Sequence, residues 1–582
     1  MISRPTAVPQ LVATAMVAIA LLAACAAVQL PSPTPPDMET IDGMGHGTQE
    51  HAMETPDANA GTGLLSFATM DFTGASDCAW CHTGLLDQSG ADVSIDTAWR
   101  ATMMANSARD PFWQAKVEAE ASALPEQSRQ IQELCAKCHM PMASTQASVD
   151  GSDRSVLAPG FLAADHTLHL PAMDGVSCSL CHQITDQHLG EPAGFSGAYV
   201  IDTSTSPPDR LSYGPFPQPL AMPMQEHVGF TPVEGSHTEE AGLCAICHTV
   251  FTPHVDSEGK LTGSFPEQTP YLEWAHSSFG KDGETASSCQ SCHMPEAQGS
   301  VVVSNRPRNG RLPARTPFAT HDFTGGNTMM VALIQSQAAE TAGSPSSLAY
   351  ESVLQRTQVK LESQTASLSL ERRIEGDQLL VDVQISTFAG HKVPSGFPAR
   401  RVWLHLIATD GSGAVLFESG APQPDGIIAG NDADASASTY EPHYEILTQP
   451  DQVQIYEAIM QDSSGAPTYS LVQAASYIKD NRLLPSGFGK DDAPADIAVR
   501  GAAQADTSFL GGGDRITYVL PLSEHPGTIS VTVELLYQSI GHRFAAELFN
   551  TQTPLVTQFS SAYAAAPKVA VVLASAQTVV DR

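Results

Sequence analysis

The sequence predicts a multidomain chain in which a loop-rich, mostly α domain is followed by an antiparallel β-sandwich domain. Three observations carry that reading. The pentapeptide Cys-x-x-Cys-His occurs five times between residues 78 and 293 and nowhere beyond. Proline-rich stretches in the same region, among them Pro207-Pro208 and YGPFPQP (213–219), argue against a long helical bundle there. After residue 365, apolar and polar residues alternate in short runs separated by Gly, Asp and Pro, the pattern of half-buried strands.

The N-terminus reads as an export signal. Arg4 precedes an apolar run from Leu11 to Ala24, too short for a comfortable membrane span, that ends Leu22-Ala23-Ala24-Cys25. This resembles a bacterial lipobox, in which the cysteine is diacylated and becomes the new N-terminus. An ordinary secretory signal with an incidental cysteine is the alternative. Both place the mature chain outside the cytoplasm. Lipid on Cys25 tethers it to a membrane surface facing the periplasm or the cell exterior, without a transmembrane helix. Residues 26–65, which include PSPTPP (31–36), then read as a disordered tether.

Residues 66–327 hold the motifs Cys78-Ala-Trp-Cys81-His82, Cys135-Ala-Lys-Cys138-His139, Cys178-Ser-Leu-Cys181-His182, Cys244-Ala-Ile-Cys247-His248 and Cys289-Gln-Ser-Cys292-His293. They use ten of the 11 cysteines. Zinc sites predict variable spacing and no fixed histidine after each pair. A redox dithiol needs one such motif, not five. Covalent heme accounts for every residue: each thiol adds to a heme vinyl group as a thioether, and the next histidine reaches the iron as proximal ligand. The sequence therefore predicts five covalently attached hemes c, with His82, His139, His182, His248 and His293 as proximal ligands. The porphyrins supply much of the apolar core of a domain built from short helices.

Residues 328–364 read as a helical connector interrupted at GSPSS (343–347). The sandwich is expected over 365–560. Val381, Val383 and Ile385 alternate with Asp382, Gln384 and Ser386; Val402, Leu404 and Leu406 alternate with Trp403 and His405; Ile529, Val531, Val533, Leu535 and Tyr537 alternate with mostly polar residues. Residues 561–582 form a C-terminal tail.

The 582 residues carry 63 acidic and 29 basic side chains, a formal charge of −34, and heme propionates add to it. Nucleic acid and anionic lipid headgroups are disfavoured partners, and basic redox proteins are favoured ones. Solubility in a salty habitat explains the same acidity.

Several segments, AMDGVSCSLCHQI (172–184), LCAICHTVFTP (243–253), FPEQTPYLEWAHSSF (265–279), CQSCHMP (289–295) and HDFTGGN (321–327), together resemble the multiheme cytochromes c of the group that includes the nitrifier tetraheme cytochrome and hydroxylamine oxidoreductase. AGHKVPSGFPARRVWLHL (389–406) and YIKDNRLLPSGF (477–488) resemble the β-rich C-terminal domain attached to some of them. The resemblance implies close-packed, mostly bis-histidine hemes that carry electrons. In the related cytochromes a Trp-x-x-Ser-x-His-Ala segment often supplies a distal histidine. Here WRATMMA (99–105) places Met104 in that position, where a thioether would raise the potential of its iron, or where the side chain fills a core gap. EWAHS (273–277) implies His276, and His321 precedes DFTGGN. His166 or His169 lies just before the third motif, and His237 just before the fourth. His391, in GHKVPSG, is either a distal ligand or a turn histidine of the sandwich. These are more sites than irons, so not all of them ligate. His46, His51, His405, His525 and His542 are read as non-ligands.

Two functions follow. In the first the protein is a pentaheme electron conduit. In the alternative, one five-coordinate heme acts on a small nitrogen or sulfur compound. Every motif ends in histidine, and the lysine-ended variant of ammonia-forming nitrite reductase is absent. No segment matches the tyrosine that cross-links the catalytic heme of hydroxylamine oxidoreductase. With at least as many distal candidates as irons, the conduit is favoured. For the sandwich, the sequence supports a structural or docking role.

Overall fold

The computed structural model describes residues 63–306, 312–338, 344–522 and 527–581. The export signal, Cys25 and nearly all of the tether lie outside the described residues. Among the described residues no helix is long and apolar enough to cross a membrane.

The alternating segments form strands for the expected physical reason. Strand Gln378–Thr387 buries Leu379, Val381, Val383 and Ile385 completely, while Gln384 faces outward. Strand Arg401–Asp410 buries Val402, Leu404 and Leu406, and strand Ile529–Gln538 buries Val531, Val533 and Leu535. These last two pair antiparallel over their full length, from Arg401 opposite Gln538 to Asp410 opposite Ile529. They lie at the centre of a six-stranded sheet ordered Ser476–Asp480, Ile455–Gln461, Arg401–Asp410, Ile529–Gln538, Val571–Val580, with Val415–Ser419 also on Arg401–Asp410. A four-stranded sheet runs Ile446–Leu447, Gly513–Pro521, Gln378–Thr387, Ala366–Glu375. Both sheets bury side chains in one apolar core, Val383 and Ile516 from one and Leu404 and Val533 from the other. Residues 571–580, read from the sequence as part of a tail, supply the edge strand beside Ile529–Gln538.

The motif-bearing part contains the helices Ala75–His82, Pro111–Ala123, Ser128–His139 and Ala241–His248, with several shorter ones. Helix Pro111–Ala123 starts as its sequence dictates: Pro111 occupies the first turn, and the Asp110 carboxylate accepts from the Phe112 and Trp113 amides. Three two-stranded sheets interrupt the helices: a parallel pair, Arg210–Gly214 with Phe230–Glu234, and two antiparallel pairs, Val250–Val255 with Leu261–Gln268 and Val301–Val302 with Ala314–Arg315.

The expected class, a loop-rich mostly α domain followed by an antiparallel β-sandwich domain, is corrected by this arrangement. Helix and strand are mixed, at 30% and 24% of the chain. Strands occur on both sides of residue 328, and the four-stranded sheet contains a parallel pair. The described residues form one compact unit. One apolar cluster joins Phe112 and Ala115 of the motif-bearing part to Phe544, Phe559 and Tyr563 of the β-rich part. Beside it, Lys116 and Glu120 pair at 2.7 Å, and Glu120 accepts from the Ser470 hydroxyl and the Leu471 amide. The sequence hid this because proline in VFTPHV and LTGSFPEQ breaks the visible alternation of strands that nonetheless pair.

His443, Asp506 and Asp514 meet in the β-rich core, the one group of three or more His, Cys, Asp or Glu among the described residues close enough to share a metal. The hydrogen bonds argue against a metal there. Gln454 and Asn481 each spend their carbonyl on a main-chain amide and turn their NH₂ toward His443 Nδ1, at 2.8 and 3.1 Å. Nδ1 is therefore an acceptor, and Nε2–H donates to Asp506 at 2.9 Å. Burial, helped by the nearby Asp506 carboxylate, pushes the Asp514 carboxyl up to about 7. A carboxyl raised in the folded state stabilises at low pH and loses that contribution as pH rises through its folded value. Asp514→Asn should remove this loss. Guanidinium midpoints should show the variant gaining on wild type between pH 4 and 7, by up to ~1.4 kcal/mol per pH unit. A constant difference across that window would refute the assignment.

Candidate heme-binding site

Each motif sits on, or ends, a short helix: Ala75–His82, Ser128–His139, Cys178–Cys181, Ala241–His248 and Cys289–His293. Cysteines at i and i+3 and a histidine at i+4 share one helix face, so both thiols and the imidazole point the same way. None of the ten motif cysteines is in a disulfide.

Four of the five motif histidines use Nδ1 in the same manner, as a donor to a main-chain carbonyl from a distant segment. His82 reaches Val303 at 2.7 Å, His139 reaches Ser107 at 3.2 Å, His182 reaches Tyr213 at 2.5 Å and His293 reaches Thr324 at 2.6 Å. A carbonyl can only accept, so Nδ1 carries the proton and Nε2 is left as the ligand atom, the arrangement that second partners impose on metal-bound histidines. The ring of Trp113 lies on His139, 4.5 Å between centroids and 7° from parallel, and fixes that imidazole further. Burial lowers the pKa of all five, to about 4 for His139 and His293, so they are neutral near pH 7 as an iron ligand must be.

All ten motif cysteines and all five motif histidines line a single cavity of 1470 Å³. The motifs are not arranged in chain order. The first lies beside the third, where the Ser179 hydroxyl donates to the Thr73 carbonyl at 2.7 Å and Cys178 packs on Ala75 and Ala79. The third packs on the fourth through Leu180, Ile184, Ile246 and Cys247. The second meets the fourth across Gly197, whose amide donates to Ile246 at 2.8 Å. Gly197 has φ +75°, and a Cβ there would stand 2.8 Å from Lys137 Cβ and 3.1 Å from Cys138 Sγ, so only glycine lets the two motifs approach. The fifth joins the fourth through Gln290, which donates to the Glu240 carbonyl at 2.7 Å.

Of the predicted distal ligands, Met104, His321 and His391 line the cavity. His321 faces His182 with 6.4 Å between ring centroids and 28° between planes; His391 faces His293 at 6.3 Å and 11°. Two imidazoles on opposite sides of one metal, each bonded at ~2 Å, hold their ring centres ~6 Å apart. Both pairs therefore fit bis-histidine ligation of one iron. His391 also directs Nδ1 to a main-chain carbonyl, that of Lys392, at 2.9 Å. Burial and the neighbouring His182 and His82 hold His321 down to about 3.

His166, His169, His237 and His276 do not border the cavity. His166 meets the Phe161 ring edge-on, and His169 Nδ1 bonds the Phe161 carbonyl at 2.9 Å. The His237 Nε2 bonds the Ile184 carbonyl at 2.9 Å, and the His276 Nε2 bonds the Gly489 carbonyl at 3.1 Å. In these last two the nitrogen that would bind iron is spent on the backbone. A histidine that sequence reasoning missed does border the cavity: His227, the last residue of helix Ala221–His227, with its ring 6.0 Å from that of Trp80 in the first motif. Nothing in its local sequence marks it.

No family model matches the chain, and no curated protein does. Among solved structures the chain is similar to a penta-heme cytochrome c552 from Thermochromatium tepidum, at 16% identity and a TM-score of 0.48, over 89% of this chain and 100% of that one.

Proposed function

We propose that this chain is an electron-transfer protein that holds five covalently attached c-type hemes in one continuous array. One observation carries the reading: fifteen motif side chains border a single cavity, and two of the motif imidazoles face a second imidazole at the spacing of trans ligands on one metal. The residues fit the group. Thiols and imidazole share a helix face, the imidazoles are neutral and oriented, and the walls around them are largely apolar. Bound heme supplies a one-electron iron couple whose potential follows its axial ligands and burial. The chain's own residues orient the imidazoles through the Nδ1 bonds, exclude water by burial, and bring each motif against another. His227 and Met104 are the remaining candidates for axial positions. Lipid on Cys25, an extracytoplasmic location and basic redox partners belong to the same proposal and rest on the sequence.

Intact-mass measurement of the mature protein under denaturing conditions should show five heme additions; three or fewer in a host competent for heme attachment would overturn the count. Electron paramagnetic resonance of the oxidised protein should show low-spin signals for the irons of the third and fifth motifs. His321→Ala and His391→Ala should each open one iron and add a high-spin signal. Signals unchanged in both variants would remove these two residues from the ligand set.

Met104 gives a separate test. If its sulfur binds iron, Met104→His keeps that iron low-spin and lowers its potential, whereas Met104→Ala opens it to carbon monoxide. If Met104, which is half-buried, only fills the wall, Met104→Ala costs ~0.5–3 kcal/mol of stability and leaves every potential in place. Redox titration of the two variants separates the outcomes.

A further inference from the structure

Glu273 lies in the segment that the sequence singled out for His276, on the short helix Pro270–Ala275, and it is fully buried. It faces the loop of the β-rich part that carries His391. Its Oε2 accepts from the Lys392 amide at 3.1 Å and from the Ser395 hydroxyl at 2.6 Å. Its Oε1 accepts from the Thr269 hydroxyl at 3.1 Å and pairs with the Arg482 guanidinium at 2.9 Å. The Lys392 ammonium, also fully buried, pairs with Asp480 at 2.7 Å, and Arg482 grips the same Asp480 with two nitrogens, at 2.9 and 2.8 Å. Two carboxylates and two cations thus neutralise one another in the interior. A closed set of this kind tolerates no missing member, because each loss strands an opposite charge in the interior. Val393 and Leu483 exchange both main-chain hydrogen bonds at 2.9 Å and hold the same loop from its other side.

We infer that Glu273 is the positioning residue for His391: by taking the Lys392 amide and the Ser395 hydroxyl on one oxygen, it fixes the loop at the height where His391 stands 6.3 Å from His293. The inference rests on the reading of His391 as an axial ligand. It gives the β-rich part a specific task, since the loop belongs to that part while Glu273 belongs to the motif-bearing part. It also explains why so costly a charge set is buried at this seam. Apolar packing would hold the two parts together as well, but it would not set the level of the loop between strands Gln378–Thr387 and Arg401–Asp410.

The test uses the mature holoprotein. Glu273→Gln keeps the shape and removes the charge. It should retain five hemes by mass, yet add a high-spin ferric signal to the wild-type spectrum, and millimolar imidazole should remove the added signal. His391→Ala should give the same signal and the same rescue. Asp434→Asn, which breaks the buried Arg401–Asp434 pair away from the cavity, should lower stability with no added high-spin signal. If Glu273→Gln keeps wild-type spin states and potentials while His391→Ala does not, the positioning role is refuted and ligation by His391 stands. If His391→Ala changes nothing, the ligation reading itself fails. Should Glu273→Gln not fold, Ser395→Ala decides the matter. It removes one of the two bonds to the loop, and a wholly wild-type spectrum from it would overturn the inference.

Discussion

The hydrogen bond from a motif histidine Nδ1 to a carbonyl elsewhere in the chain is the interaction on which the motif-bearing part depends. The motif helices have between four and 12 residues, too few to be stable alone in water. Four of their five imidazoles are tied to carbonyls that lie 31 to 221 residues away. Each bond is worth only ~0.5–1.5 kcal/mol net, but a buried imidazole N–H left unpaired costs ~1–3 kcal/mol. The bond therefore selects a chain path as well as a tautomer. Val303 must pass the first motif, Tyr213 the third and Thr324 the fifth, and the segments between the motifs are routed accordingly.

The same region is held by buried ion pairs where most interiors use close apolar packing. Arg210 pairs with Asp71 at 2.6 Å, both nearly inaccessible, and joins the strand after the third motif to the approach of the first. Glu120, paired with Lys116 on its own helix, accepts from Ser470 and Leu471, and Glu273 pairs with Arg482, so both carboxylates link the motif-bearing and β-rich parts. Such pairs add little net stability, because desolvation offsets attraction, but they admit one geometry only. A cavity lined by all five motifs must keep its walls at fixed distances, and directional pairs suit that need better than side chains that slide.

The walls of the candidate site were legible in the sequence, because the repeated pentapeptide has a fixed spacing and a strand with one buried face demands alternation. Cys78 to His293 and the strands around Val383, Leu404 and Val533 followed from those two rules alone. The distal side had no such rule. A ligand histidine needs only an unspent Nε2 aimed at the cavity, which is a property of its surroundings. His237 and His276 lie near motifs in sequence yet spend Nε2 on carbonyls, while His227, on an unremarked helix end, reaches the cavity wall. The carbonyls of Val303, Ser107, Tyr213 and Thr324 are main-chain atoms and leave no mark in composition at all. The fold class was misread for a related reason: strands such as Val250–Val255 contain proline, so they pair in space without alternating cleanly in sequence.

The order of the motifs in space also accounts for the single compact unit. Contacts between motifs do not simply follow chain order: the first motif lies on the third, the second on the fourth, and the fourth also touches the third and fifth. Any cut between consecutive motifs would separate a contacting pair. The β-rich part is bound into the same arrangement, because His391 faces the fifth motif and the clamp of Lys116 and Glu120 lies on the helix whose Trp113 covers His139. A boundary drawn where the residue pattern changes, near 365, therefore marks a change in how the backbone pairs its hydrogen bonds. It does not mark a break in packing, since the side chains that orient the second and fifth motif histidines are anchored on both sides of it.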